Sequence, residues 1–209
     1  MKEFDENNVT RRSNLAENDS ISCYMGHGAQ QNPHAYKAFY NFLKEVKPKR
    51  ILEIGTGMGG FTMALKLFID DLELDTDLRS YDVNGTFMTN TLLENKIDAR
   101  LENIFDGDNV DPEVVEYIQS DGTTIVLCDG GNKIYEFRVL SPLIKSGDFI
   151  LTHDYSKNEE YFRSNVNLKL WNWLEIQDSD IEDSVIKHNL EPFMVDEFQE
   201  AVWACKRKK

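Results

Sequence analysis

The chain has 209 residues, a formal net charge of −14 and no apolar run near membrane-spanning length. That length suits one globular domain with a full core, and so acidic a balance argues against nucleic acid or an anionic membrane as partner. Three widely spaced cysteines, Cys23, Cys128 and Cys205, and a polar start without an apolar leader exclude a disulfide framework and point to a reducing, cytoplasmic setting.

In chain order, residues 1 to about 20 are polar and charged and read as a loose arm. Residues 21–48 read as an N-terminal loop and helix. Within them, 24–31 carry Gly26 and Gly28 among polar residues, as a mobile loop does. Asn32-Pro33 has the form of a helix cap, and Ala35, Phe39, Phe42, Leu43 and Val46 follow at helical spacing up to Lys47-Pro48. Residues 49–209 then form the core. Residues 50–54 are a short apolar strand running into Gly55-Thr56-Gly57-Met58-Gly59-Gly60, with a helix behind from Phe61. Strands follow at 78–82, 99–104, 124–128 and 149–152, separated by helices at 86–95, behind Asp111-Pro112, and through Ile134, Phe137, Leu140 and Ile144. This five-fold alternation predicts a doubly wound, Rossmann-like α/β fold with a mostly parallel sheet, seven-stranded once the C-terminal pair described next is included. After it, Val166, Leu170, Trp171, Trp173 and Leu174 have helix-like spacing, and 181–190 reads as a further helix. Segments 192–195 and 201–205 are too close for a crossover and predict a C-terminal antiparallel hairpin. The end, Lys206-Arg207-Lys208-Lys209, reads as solvated.

The glycine turn carries the first chemical signal. Glycines let a ligand lie against bare backbone, and the following helix offers unpaired N–H groups to a negative group. Gly55, Gly57 and Gly60 fit the dinucleotide pattern G-x-G-x-x-G. With Glu53 they fit equally the E-x-G-x-G pattern of enzymes using S-adenosylmethionine, and a tight turn with no ligand is the bland alternative. In open parallel sheets ligands bind at the carboxyl ends of the strands. Those ends are acidic here: Glu53, Asp82, Asp106 with Asp108, Asp129 before Gly130-Gly131, and His153-Asp154. Asp82, 27 residues beyond Gly55, suits a ribose diol. Acids crowding the turn repel a pyrophosphate and favour a sulfonium and an ammonium.

Ile51 to Gly60, Asp82, Leu127-Cys128-Asp129-Gly130-Gly131-Asn132-Lys133-Ile134-Tyr135-Glu136, and 143–154 ending in His153-Asp154 together resemble the class I S-adenosylmethionine-dependent methyltransferases. The branch is that of small-molecule O-methyltransferases related to macrocin, rhamnosyl and cephalosporin-type enzymes. The resemblance covers roughly residues 30 to 155. Asn132 stands where the branch has His, Tyr135 falls one place late, Asp148 replaces a glycine, and Tyr155 follows the fifth-strand acid.

The resemblance implies cofactor contacts from Glu53, Gly55, Thr56, Gly57, Gly59, Asp82, Val83, Asp106, Asp129 and Gly130. It implies catalytic roles for His153, Asp154 and Asp129, and Mg²⁺ or another divalent cation between Asp129 and Asp154. The expected reaction is in-line methyl transfer to a hydroxyl of a small-molecule acceptor, with His153 as general base. The alternatives are a nicotinamide-dependent oxidoreductase on the same turn and a non-catalytic or hydroxylase-like relative. The oligomeric state is open, a homodimer included. Residues 155–176, rich in aromatic side chains, are expected to wall off the substrate, and 24–31 with 155–163 to close over the cofactor.

Overall fold

The structure is a computed structural model that describes residues 2–11, 21–85 and 89–209. At the N-terminus, β1 (Val9–Arg11), β2 (Ser22–Tyr24) and β3 (His27–Ala29) pair as a small antiparallel sheet. Phe4 packs its ring on Tyr24, Tyr40 and Phe68, with centroids 5.8, 5.4 and 6.0 Å away. The stretch read as a loose arm thus contributes a strand and an aromatic ring to the packed structure. Helix α1 (Pro33–Val46) starts where its cap predicts: Asn32 Oδ1 accepts the His34 N–H at 2.8 Å.

The central unit alternates as its apolar runs predict. In order come β4 (Arg50–Ile54), α2 (Gly60–Asp71), β5 (Asp77–Asp82), α3 (Thr89–Glu94) and β6 (Asp98–Leu101). A two-stranded ribbon, β7 (Phe105–Asp106) and β8 (Asn109–Val110), leads to α4 (Pro112–Gln119), β9 (Thr124–Cys128), α5 (Lys133–Leu140) and β10 (Phe149–Thr152). The chain ends in α6 (Glu159–Tyr161), a π-turn at Phe162–Val166, α7 (Asp178–Lys187), β11 (Leu190–Pro192), α8 (Val195–Glu200) and β12 (Ala204–Lys208).

The seven-stranded sheet has the order β11-β12-β10-β9-β4-β5-β6, with β12 antiparallel to both its neighbours. Strand order therefore reverses between β4 and β9, which opens a crevice at their carboxyl ends. Side chains alternate across the sheet. Ile51, Ile125, Leu127, Phe149 and Leu151 face one layer, with α1, α2 and α8, while Leu52, Ile54, Val126, Cys128 and Ile150 face the other, with α4, α5 and α7. Burial on both faces is why these strands are continuous apolar runs. Cys23, Cys128 and Cys205 are buried and form no disulfide.

Several boundaries differ from the sequence reading. The terminal strands are antiparallel as expected but lie at 190–192 and 204–208, because 195–200 coils into α8 rather than a short turn. The basic end is no solvated tail: Lys206 and Arg207 pair with Ile150 and Phe149, and Lys206 is buried. The apolar run 201–205 supplies only its last two residues to β12. Trp171 makes an isolated bridge with Asn167 and Trp173 lies in irregular chain rather than a helix, and 24–31 is largely the β2–β3 hairpin, with Tyr24 and Gln31 buried. Of the helix expected at 86–95, residues 86–88 lie outside the described residues.

Phe39 joins α1 to the rest of its layer. Its ring lies 5.0 Å from Phe61 and Trp203 and 5.2 Å from Phe198, edge to face in each case, and is fully buried. Phe39→Ala is expected to lower unfolding free energy by about 3–5 kcal/mol in urea denaturation.

Candidate active site

A cavity of about 830 Å³ lies at the carboxyl ends of β4, β5 and β9, over the strand-order reversal. The glycine turn forms one wall. Gly55 has φ +97°, and a Cβ there would stand 2.1 Å from the Asp129 carbonyl oxygen, so only glycine lets the ends of β4 and β9 meet. Gly57, at φ +51°, has open space where its side chain would be. Its N–H donates to Asp82 Oδ2 at 2.7 Å, and Asp82 Oδ1 accepts the Asn84 N–H at 2.8 Å. Asp82 thereby braces the turn and keeps lone pairs for further donors. Thr56, Gly59, Val83 and Gly130 line the same cavity, and Val83 and Met58 expose apolar surface there.

Glu53 does not line the cavity. It is buried behind the turn, where Oε2 accepts from Thr62 Oγ1 at 2.6 Å and from the Ser80 hydroxyl. Burial pushes its carboxyl up to about 7, against these two hydrogen bonds. Asp106 does not line the cavity either: it pairs with Asn109 in the β7–β8 ribbon, and Asp108 binds Arg138 at 2.7 Å. Glu102, Asn103 and Phe105 occupy that part of the wall.

Opposite the turn, β9 and β10 bring Asp129, His153 and Asp154 together. Asp129 Oδ1 lies 2.9 Å from His153 Nδ1, which places the proton on Nδ1. His153 Nε2 is buried and has no partner among the described residues. The ring stacks on Trp203 at 4.9 Å. Burial opposes the imidazolium, but Asp129 and Asp154 outweigh it and raise the His153 pKa. Asp154, at φ +54°, accepts the Trp171 indole N–H. A strained non-glycine residue at a strand end is a feature of functional sites.

Residues that sequence reasoning passed over complete the cluster. Gln31 Nε2 donates to Asp129 Oδ2 at 2.8 Å, and its Oε1 accepts the Trp203 indole N–H at 2.9 Å. Lys133 places its ammonium 3.0 Å from Asp154 and 2.8 Å from Glu175. No local motif marks Gln31, Glu175 or Trp171, because each arrives from a distant segment. Lys133 sat within one of the motifs, and its charge amid five acidic strand ends was the available signal.

The departures have structural reasons. Asn132 is the N-cap of α5, accepting the Tyr135 N–H at 3.0 Å, while Glu136 accepts the Gly130 and Asn132 N–H groups at 3.1 Å. Asp148 accepts from the Thr124 and Lys145 N–H groups and so ties β9 to β10. Tyr155 turns away, donating to Asp178 at 2.8 Å. Of the expected lid, 155–163 gives no wall to the cavity, whereas Gln30, Gln31, Trp171, Trp173 and Glu175 do.

No protein-family model matches the chain, and no curated protein matches it in sequence. Solved structures do match in shape. cmcI in its N160 form with SAH superposes with a TM-score of 0.60 at 13% identity, over 89% of this chain and 82% of that one. The Mg-SAM form of cmcI gives 0.61 at 13% identity, over 90% and 76%. A caffeoyl-CoA O-methyltransferase candidate from Staphylococcus aureus gives 0.53 at 18% identity, over 83% and 82%. The chain shares the fold of these solved structures. At these identities the likeness speaks for the fold alone. No helix among the described residues is long and apolar enough to cross a membrane.

Glu53 generates a pH-dependence. Its folded pKa stands above the ordinary value of 4.5, so the folded state holds the proton longer than the unfolded chain. Stability therefore falls as pH rises between the two values, by at most about 2–4 kcal/mol from this group. Glu53→Gln should flatten that fall, read as the parent-minus-variant difference in urea denaturation at pH 5 and pH 8.

Proposed function

We propose that this chain is an S-adenosylmethionine-dependent methyltransferase acting on a hydroxyl of a small molecule. The observation that carries the reading is one cavity with two unlike walls. On one side are the open backbone at Gly57 and the Asp82 carboxylate. On the other is the His153–Asp129 pair. The cavity volume is that of a small-molecule site.

The space over Gly57 and the free lone pairs of Asp82 fit an adenosine ribose, and the exposed Val83 and Met58 fit the flat base. When bound, the cofactor supplies an electrophilic methyl group on a sulfonium. The chain's own work is then mainly placement. Asp129, Asp154 and Glu175 make the wall acidic, which favours a cationic group over a pyrophosphate. Trp171 and Trp173, edge to face 5.1 Å apart beside His153, give the acceptor side of the cavity an aromatic lining. The His153–Asp129 pair receives the hydroxyl proton as the oxygen attacks. Glu53 supports the glycine turn from behind, and Asp106 has no contact role. Residues 49–209 act as the catalytic core, with 21–48 supplying Gln31 to its wall. Nothing in the acid-lined cavity favours a nicotinamide dinucleotide.

The reading is tested by calorimetric titration with S-adenosylhomocysteine. Gly57→Val should abolish binding, since a branched side chain fills the open space at a positive φ. Asp82→Ala should weaken it by about 1–3 kcal/mol through lost charge-assisted hydrogen bonds. Parent-like binding by both variants would place the cofactor elsewhere.

A further inference from the structure

The acidic cluster already holds a cation, and it belongs to this chain. Lys133 is the first residue of α5, directly after the Asn132 cap. Its side chain is 7% exposed. The ammonium lies 2.8 Å from Glu175 Oε2, 3.0 Å from Asp154 Oδ2 and 3.8 Å from Asp129 Oδ1, and it donates to the Gly130 carbonyl at 3.2 Å. Three carboxylates from three separate segments thus converge on one buried amine.

Asp129, His153 and Asp154 also offer ligand atoms within 4.8 Å of one another, the spacing of a metal-binding group. Every one of the four oxygens on the two aspartates is nevertheless taken by a donor of this chain. Asp129 Oδ1 meets His153, and Oδ2 meets Gln31. Asp154 Oδ1 meets Trp171, and Oδ2 meets Lys133. A divalent ion needs carboxylate oxygens at about 2.0–2.6 Å, and it would have to take them from the oxygens that the ammonium faces. Two cations on the same oxygens repel one another strongly in a buried site.

We propose that Lys133 is the built-in cation of this cluster, that it occupies the seat a divalent metal would take, and that the chain works without such a metal. This deepens the proposed function at the same site. Metal binding is read on the protein alone, without cofactor or acceptor, so the two readings fail separately.

The test is Mn²⁺ titration of the parent, Lys133→Met and Lys133→Gln, with free Mn²⁺ followed by electron paramagnetic resonance. The parent should leave Mn²⁺ free up to about 1 mM, while a variant should bind one ion per chain at least about tenfold more tightly than the parent. Mn²⁺ should also raise the Tm of the variants and leave that of the parent unchanged. A Met variant that folds only with Mn²⁺ present would support the proposal equally. A parent that binds one Mn²⁺ as tightly as the variants would overturn it, as would folded variants that bind none.

Discussion

The structure depends on the contact between the ends of β4 and β9. There Gly55 lies against the Asp129 backbone with no room for a side chain. The Asp129 N–H donates to Ile54 O at 2.9 Å, and the Gly55 N–H donates to Tyr81 O at 2.8 Å, so three strand ends are locked within one turn of chain. Asp82 then reaches Gly57 from β5, and Asp129 reaches His153 on β10. With a wider gap between the strands, the glycine turn and the acidic cluster would not share a cavity.

A buried polar circuit holds the N-terminal hairpin to this point. The Trp203 indole donates to Gln31, Gln31 donates to Asp129, Asp129 pairs with His153, and His153 stacks back on Trp203. The Trp203 N–H fixes which end of the Gln31 amide faces the carboxylate. Satisfied circuits of this kind rigidify a site, whereas a half-satisfied one would be costly. The hairpin is seated by a second close approach: a Cβ on Gly60 would meet the Gly28 carbonyl at 1.9 Å. The glycine turn therefore accepts the hairpin on one side and β9 on the other.

What could be read in the sequence follows the range of each signal. β4, β9 and β10 were legible because strands buried on both faces must be apolar throughout. The α1 start and the glycine turn were legible because caps and turns are local. Glu53 was misread as a ligand contact, since position in a motif does not say whether a side chain faces cavity or core; alternation puts it on the α2 side, with Thr62. The terminal strands slipped because Ala201, Val202 and Trp203 are apolar for packing while Lys206, Arg207 and Lys208 pair in the sheet through their backbone. Gln31, Trp171 and Glu175 could be read only as members of segments near the site, and their partners could not be read at all, because those contacts exist only after long-range folding.

The two aspartates of the cluster show how one network separates two like groups. Burial raises the Asp129 pKa, and His153 and Lys133 oppose that rise without cancelling it. Burial acts on Asp154 in the same sense, but His153, Lys133 and the Trp171 N–H together outweigh it, and its pKa falls. The difference is geometric: Lys133 stands 3.0 Å from Asp154 and 3.8 Å from Asp129. Asp154 is thus the carboxylate whose charged form the ammonium favours, while Asp129, hydrogen-bonded to His153, is the one whose proton affinity is raised. Two like carboxylates can in this way be given unlike proton affinities by their surroundings alone. A divalent ion placed between them would draw both down and erase that distinction, whereas an ammonium closer to one carboxylate than to the other maintains it.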